Sequence, residues 1–510
     1  MTNFATSLSR WRLPAHIRES ISVSFKTFDG PTLIAFGLPF MLYLITMAPT
    51  IYNLDSAELT TAAATGGIVR ATGYPLYLLL GRAWSWLPIG DVGFRLNLFA
   101  AFSGALTVVL AERILRRMQV NAWARFAALG LLACAPFFWA MSLIAEVYTL
   151  HTALMAGIIL LMLRWAESPT PRRLALVGLA VGLSLGHHAA TVLLLPGCAW
   201  YVLSVAPRRA LAPRALVPAI GALLLGASVY LYLPLLYLAQ PAFNYAGHYN
   251  ATGQFVPDDL RSVDGLWTLM TGRAFAGQML AYQGAELLHE IASFTAQLSQ
   301  SFFIVGVGPG LVGLVVLLRR DWRLGGMLLL MFAFSAGFYI DYRVLDKNTM
   351  FLPAFLVWAL WLAVGCDWLQ QWLSRDHDNF TRTGGTRLLR VALVGVVLIA
   401  VAWNWRLTDL SRDRSARARG ESILQAAEPN ALIFGWWDTA PLVEYLQLVE
   451  GQRPDVQAIN RFLIAPGDMR QLIERNLGRR PIYIDSVPDD LSRVARVRRA
   501  GLLYELQPRN

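Results

Sequence analysis

Two carboxylates, Asp55 and Glu58 in the run Tyr52-Asn-Leu-Asp-Ser-Ala-Glu58, stand just before a helix-forming stretch from Leu59 to Ile68. One chemistry for this spacing is structural: an N-cap acid followed by its N3 glutamate satisfies the orphan N–H groups at a helix start. The other is proton transfer, because a rigidly aimed carboxylate can serve as a base while its neighbour orients it. The two are compatible, and the motif by itself leaves both open.

Other polar residues join that pair. Glu146, in Ala145-Glu-Val-Tyr148, lies between two apolar runs, where an ionisable group is costly unless it has a partner or a function. A plainer alternative is an interfacial carboxylate in contact with water. His187 and His188 close an apolar run without a third ligand at suitable spacing, so no metal site is expected. Arg70, Arg82, Arg95, Arg273, Arg343 and Lys347 are cations of the kind that grip a phosphate through charge-assisted hydrogen bonds. Snorkelling from a membrane interface explains each of them equally well, and Lys347 with Asp346 also fits a local ion pair of small worth.

The segments that must position these groups are apolar. The chain is 56% hydrophobic and 15% charged over 510 residues, beyond what a water-soluble globular chain carries. At about 20 residues per crossing, spans are predicted at 31–50, 93–112, 124–141, 143–163, 174–188, 190–206, 215–238, 301–318, 325–341, 351–370 and 388–404. These describe an all-α polytopic membrane bundle of about eleven transmembrane helices. Arginines cluster in alternate connections: Arg113, Arg116 and Arg117; Arg164, Arg172 and Arg173; Arg208, Arg209 and Arg214; Arg319, Arg320 and Arg323; Arg375, Arg382 and Arg387. The positive-inside rule makes those loops and the N-terminal segment, residues 1–30, cytoplasmic. Arg10, Arg12, Arg18 and Lys26 in that segment precede any long apolar run, so no cleavable signal peptide is read there.

The outer side then holds loops 51–92 and 239–300, the short connection 342–350 and the tail after 404. Arg406, Arg412, Arg414, Arg417 and Arg419 follow the last span and pull the other way, but large domains translocate largely regardless of charge. The tail, residues 405–510, reads as a small soluble α/β domain. Strands are predicted at Ala431–Trp436, Val456–Asn460 and Pro481–Asp485, and helices at 439–450 and 467–477. In the 239–300 loop, Trp267, Leu269, Met270, Phe275, Met279 and Leu280 around Arg273 give the pattern of an interfacial amphipathic segment.

Several function classes recede on these grounds. The net charge of +11 comes from loop arginines with no basic, aromatic-interleaved face, so no nucleic-acid partner is expected. Cys134, Cys198 and Cys366 lie inside apolar runs without ligand spacing, arguing against a disulfide framework or zinc. No glycine-rich phosphate loop opens a helix of the tail. A transporter would place charged or helix-breaking residues near the span middles, whereas here the charges sit mainly at the ends. It stays an alternative, together with a non-catalytic sugar-lipid binding protein.

An ordered series of motifs resembles the TMEM260-like family, also called DUF2723. The series is Asp55-Ser-Ala-Glu58, Gly73-Tyr-Pro-Leu-Tyr77, Arg95-Leu-Asn97, Ala145-Glu-Val-Tyr-Thr-Leu150 and Gly182-Leu-Ser-Leu-Gly-His187. Further matches follow at Leu233-Pro234, Pro241–Tyr245, Trp267–Arg273, Asp346 with Phe351-Leu-Pro353, Asn404-Trp-Arg406 and Arg453-Pro-Asp-Val456. The chain departs from the family where a His-Pro-Pro segment is replaced by Arg70-Ala71-Thr72, and an Asn-Trp-Gly segment by Asn244-Tyr-Ala246.

The resemblance implies a membrane glycosyltransferase of the GT-C class, similar to protein O-mannosyltransferases, with its essential acid in the first outer loop. It thereby implies Asp55, with Glu58, as the catalytic carboxylates. Without a nucleotide fold, an enzyme acting on the outer face needs a polyprenyl-phosphate sugar, mannose-like hexose favoured, and no cofactor. The acceptor would be a hydroxyl on a protein, glycan or lipid, and the displacement inverting. Donor phosphate or sugar contacts are expected from Arg95, Asn97, Glu146, Tyr148, His187, Arg273 and Lys347. The compact, arginine-rich and lysine-poor chain suggests a bacterial inner membrane, with the site facing the periplasm.

Overall fold

The structure, a computed structural model, describes residues 29–344, 346–374, 379–489 and 491–509. The N-terminal cations Arg10, Arg12, Arg18 and Lys26, and Arg375, lie outside the described residues, as does the side chain of Arg382.

Every predicted span is met by helix. The first half runs α1 (Gly30–Thr46), α2 (Asp55–Thr65), α3 (Pro75–Ser85), α4 (Val92–Arg117), α5 (Ala122–Cys134), α6 (Pro136–Met141), α7 (Tyr148–Glu167), α8 (Pro171–Leu185) and α9 (Leu195–Val205). After α10 (Pro213–Ala227) and α11 (Tyr232–Leu238), the long outer loop holds the hairpin β1 (Gly247–Tyr249) and β2 (Phe255–Pro257). It continues with α12 (Val263–Thr271) and α13 (Gly284–Ser301). The bundle closes with α14 (Val307–Arg320), α15 (Trp322–Ile340), α16 (Leu352–Leu373) and α17 (Asn379–Thr408). Among the described residues six helical segments are long and apolar enough to cross a membrane alone, and the remaining predicted spans are shorter helices.

The span predicted at 124–141 is two helices. Pro136 has no N–H to donate and pushes Ala135 to extended backbone, ψ 133°, so α5 ends and α6 begins. The segment Lys347–Leu373 has 89% of its apolar window buried and forms the bundle centre, whereas Pro213–Leu238 and Gly384–Thr408, at 17%, line the outside. Close packing follows small residues: a Cβ on Gly182 of α8 would lie 2.1 Å from the Leu223 carbonyl oxygen, and one on Gly226 of α10 2.5 Å from that of Leu179.

Contacts sort the two ends of the bundle. Arg116 pairs with Asp29, and Arg117 with Glu167, gathering the start of α1 and the ends of α4 and α7. At the other end, Asn97 of α4 donates to the carbonyls of Ala48 and Thr50, both at 2.9 Å, and accepts from the Ala145 N–H at 2.8 Å. It thereby fixes the turn that launches α2.

After α18 (Ser415–Ala426), the tail forms β3 (Leu432–Gly435), α19 (Ala440–Leu448), β4 (Gln457–Asn460), α20 (Pro466–Asn476), β5 (Ile482–Ile484), β6 (Arg496–Ala500) and β7 (Leu503–Gln507). The sheet order is β4-β3-β5-β7-β6, with β3 parallel to both β4 and β5 and the last two pairings antiparallel. The helix α19 packs across α2, joining this unit to the first outer loop.

Candidate active site

The carboxylate pair does not form a capping box. Leu54 holds the cap position of α2 at φ 55° without a side-chain capping bond, and Asp55 is the first helical residue. Both acids turn instead to Arg70. Its Nη2 donates to Asp55 Oδ2 at 2.5 Å, its Nη1 lies 3.7 Å from Glu58 Oε2, and its backbone N–H donates to Glu58 Oε1 at 2.9 Å.

The second Asp55 oxygen is held from the far end of the chain. Trp437 Nε1 donates to Asp55 Oδ1 at 2.8 Å, and its ring lies 4.2 Å from the Arg70 guanidinium carbon. Behind it, Tyr245 stands edge-on at 5.4 Å, its hydroxyl bonded to the Glu444 carboxylate. Burial pushes Glu58 up to about 7, against the pull of Arg70, and pushes Glu444 up to about 8. Burial also opposes the charge on Arg70, but Asp55 and Glu58 outweigh it and keep the guanidinium firmly protonated.

Exposure separates the two acids: the Asp55 side chain is 22% exposed and that of Glu58 3%. Asp55 opens onto a cavity of about 550 Å³, the size of a small-molecule site. Asp55, Arg70, Tyr74, Tyr148, His188 and Asp346 supply its polar lining. Burial, reinforced by Asp55, raises the Asp346 carboxyl. Thr72, Tyr230, Thr271, Tyr339 and Tyr342 add hydroxyl-bearing side chains, and the remainder is apolar, including Val192, Leu193, Phe338 from α15 and Trp267, Met270, Phe275 and Met279 from the outer loop. Arg70 is the sole lysine or arginine among the described lining residues.

The other residues singled out from the sequence are distributed as follows. Tyr148 is in the cavity wall. His187 is fully buried beside it, its Nε2 2.9 Å from the Val147 carbonyl, and Glu146 is buried in the loop before α7. Asn97 is engaged in the turn described above. Arg95 donates to the carbonyls of Ser85, Ile89 and Gly90 at 2.6, 2.8 and 2.9 Å, away from the cavity. Lys347 pairs with Glu290 at 2.7 Å and donates to the Ile340 carbonyl at 3.1 Å. Arg273, its side chain 67% exposed, follows the lining residue Gly272 and lies 3.6 Å from Asp264. Trp437 was not foreseen; the signal available was a tryptophan pair at the end of a predicted strand, where open α/β sheets place functional loops. Among the described residues no group of three or more His, Cys, Asp or Glu has the geometry to hold a metal ion.

Comparison with known proteins follows the same lines. Residues 55–210, starting at Asp55, match the family model described as the protein O-mannosyl-transferase TMEM260 N-terminal domain. The mouse protein O-mannosyl-transferase TMEM260 is 24% identical over 443 residues, covering 83% of this chain and 61% of the mouse protein. The chain therefore spans about three-fifths of that relative's length. The Dictyostelium discoideum protein of the same name is 21% identical, covering 94% and 68%. Among solved structures, ArnT from Cupriavidus metallidurans bound to undecaprenyl phosphate superposes with a TM-score of 0.61 at 13% identity, over 94% of this chain and 98% of ArnT. Its apo state gives 0.60, over 94% and 97%. The resemblance read from the sequence holds: this chain is similar to the TMEM260 protein O-mannosyl-transferases in sequence, and it is a polytopic membrane protein with the GT-C-like fold of ArnT.

Proposed function

We propose that this protein is an integral membrane glycosyltransferase that moves a hexose from a polyprenyl phosphate to an acceptor hydroxyl on the outer face of the membrane. Asp55 carries the reading: a reachable carboxylate, held on both oxygens, at the polar end of an apolar cavity. The apolar wall suits a polyprenyl chain, and undecaprenyl phosphate is the ligand bound in one of the ArnT structures. The relatives named as O-mannosyl-transferases support mannose as the sugar and a protein Ser or Thr as the acceptor.

In this reading the acceptor oxygen attacks the anomeric carbon while its proton passes to the Asp55 carboxylate. The bond from that carbon to the phosphate oxygen breaks, its electron pair leaves with the polyprenyl phosphate, and the anomeric centre inverts. General-base help of this kind is worth roughly 10²–10⁴-fold. The leaving phosphate already departs as an anion and needs only opposite charge. Arg70 supplies that charge inside the cavity, and Arg273 meets the phosphate at the rim. Glu58 acts through Arg70, fixing both its backbone and its guanidinium.

The test is transfer of radiolabelled mannose from a polyprenyl phosphate to Ser/Thr peptides by protein in lipid, comparing the parent with Asp55→Asn at equal donor occupancy. Parent activity with a loss of about 10²-fold or more in the variant is expected. Equal transfer by both removes Asp55 as the base, and donor binding without transfer by the parent leaves a sugar-lipid binding protein.

A further inference from the structure

Trp437 reaches Asp55 across 382 residues of sequence. It comes two residues after β3, and β3 lies between β4 and β5, parallel to both. The chain leaves β3 through α19 to β4 on one side, then returns through α20 to β5 on the other. The strand ends after β3 and β5 thus form the switch point at which open α/β sheets receive ligands. Here those ends carry Trp436, Trp437 and Asp485, and what Trp437 meets is the Asp55–Arg70 pair of the first outer loop.

This turn is braced for that contact. Asp485 accepts from the backbone N–H of Trp436 and from Arg461 at 2.6 Å, and the Arg461 guanidinium lies 4.7 Å from the Trp436 ring. Phe462, which follows β4, stands edge-on to Trp437 at 5.1 Å, as Tyr245 does at 5.4 Å. The indole is fixed by rings and by Arg70, and its N–H has the Asp55 oxygen as acceptor. Asp55 gains in turn: the torsion of a lone aspartate carboxylate is soft, but here Oδ2 is set by Arg70 and Oδ1 by Trp437. Each oxygen still has lone-pair capacity for an incoming proton.

We propose that Trp437 is a positioning residue of the transfer reaction, through which the C-terminal unit aims the Asp55 carboxylate and holds Arg70 beside it, making the sheet a working part of the active site. The inference rests on the glycosyl-transfer reading above. Trp437 does not line the cavity, so its influence falls on the chemical step and not on donor binding. Small misplacements of a reacting group cost up to about 10²-fold in rate.

The test compares the full-length parent with Trp437→Phe, which keeps a ring over Arg70 and loses the N–H, and Trp437→Leu, which loses both. Transfer is measured with a polyprenyl-phosphate mannose and a Ser/Thr peptide and normalised to donor-binding sites, so that misfolded protein does not count. The expected result is graded: kcat falls roughly tenfold for Trp437→Phe and about a hundredfold for Trp437→Leu, with the donor KM within about twofold of the parent in both. Unchanged kcat per binding site in both Trp437 variants, or a loss confined to KM, overturns the inference while leaving the transferase reading intact. Absence of transfer by the parent overturns both.

Discussion

At the scale of single residues, the site puts two acids of different accessibility against one guanidinium. Asp55 faces the cavity, while Glu58 is sealed behind it, so in the proposed reaction the proton-accepting role goes to the former and the orienting role to the latter. Sealing has a thermodynamic consequence that solution measurements can read. Glu444, pushed up to about 8 from 4.5, binds a proton more readily in the folded than in the unfolded protein across that interval. Its contribution to stability therefore falls as pH rises from about 4.5 to about 8. Burial raises Glu58 as well, so its contribution has the same sign. In thermal unfolding in detergent at closely spaced pH values, the stability of Glu444→Gln is expected to fall less with rising pH between about 4.5 and 8 than that of the parent; an unaltered slope in the variant contradicts the assignment. Asp55 was legible in the sequence because its motif is local. Its partner Trp437 was not, because no periodicity or spacing encodes a hydrogen bond between an outer loop and a turn in another unit.

At the scale of elements, apolar run length located the membrane helices well, because the bilayer sets that length. What it could not supply was how they pack. The α8–α10 contact brings backbones together at Gly182 and Gly226, where an added Cβ falls 2.1 and 2.5 Å from carbonyl oxygens of the facing helix. Gly157, in the middle of α7, has nothing within 4 Å of its would-be Cβ. Gly182→Ala is therefore expected to destabilise the bundle by about 1–3 kcal/mol through overpacking. Gly157→Ala is expected to be neutral or to stabilise by about 0.5–1 kcal/mol, because alanine is the better helix former. Paired unfolding curves check both, and equal effects at the two positions would show that the close approach is not real. The strands β6 and β7 were also missed. The sequence Arg-Val-Arg-Arg-Ala of β6 is too charged to read as strand, and the fold explains why: it is an edge, where charge blocks further pairing. The three strands that were predicted include the buried central ones, where the apolar signal is strongest.

At the scale of the whole molecule, the question is which way the protein sits in its membrane. The arginines after the last span argued for a cytoplasmic tail, against the placement of the first outer loop. The structure changes their weight. Arg417 pairs with Glu450 at 2.7 Å and Glu421 at 2.8 Å and reaches Asp91 in the first outer loop at 3.4 Å, while Arg419 pairs with Asp438 at 3.2 Å. Two of the five are thus matched by acids of the tail itself, and the Arg417–Asp91 and Trp437–Asp55 contacts require the tail and that loop to share one side. The clusters around Arg116, Arg117 and Arg172 lie at the opposite end of the bundle and are left to decide orientation, and by the positive-inside rule they support the proposed placement of the Asp55 cavity on the outer face. The three native cysteines are buried, so a membrane-impermeant maleimide acting on intact cells gives little background. Ser492→Cys, exposed on the C-terminal unit, is expected to label without permeabilisation, and Arg172→Cys, exposed at the start of α8, only after it. The reverse pattern would put the cavity in the cytoplasm, where nucleotide sugars are available and the need for a lipid-linked donor, on which the functional reading depends, would disappear.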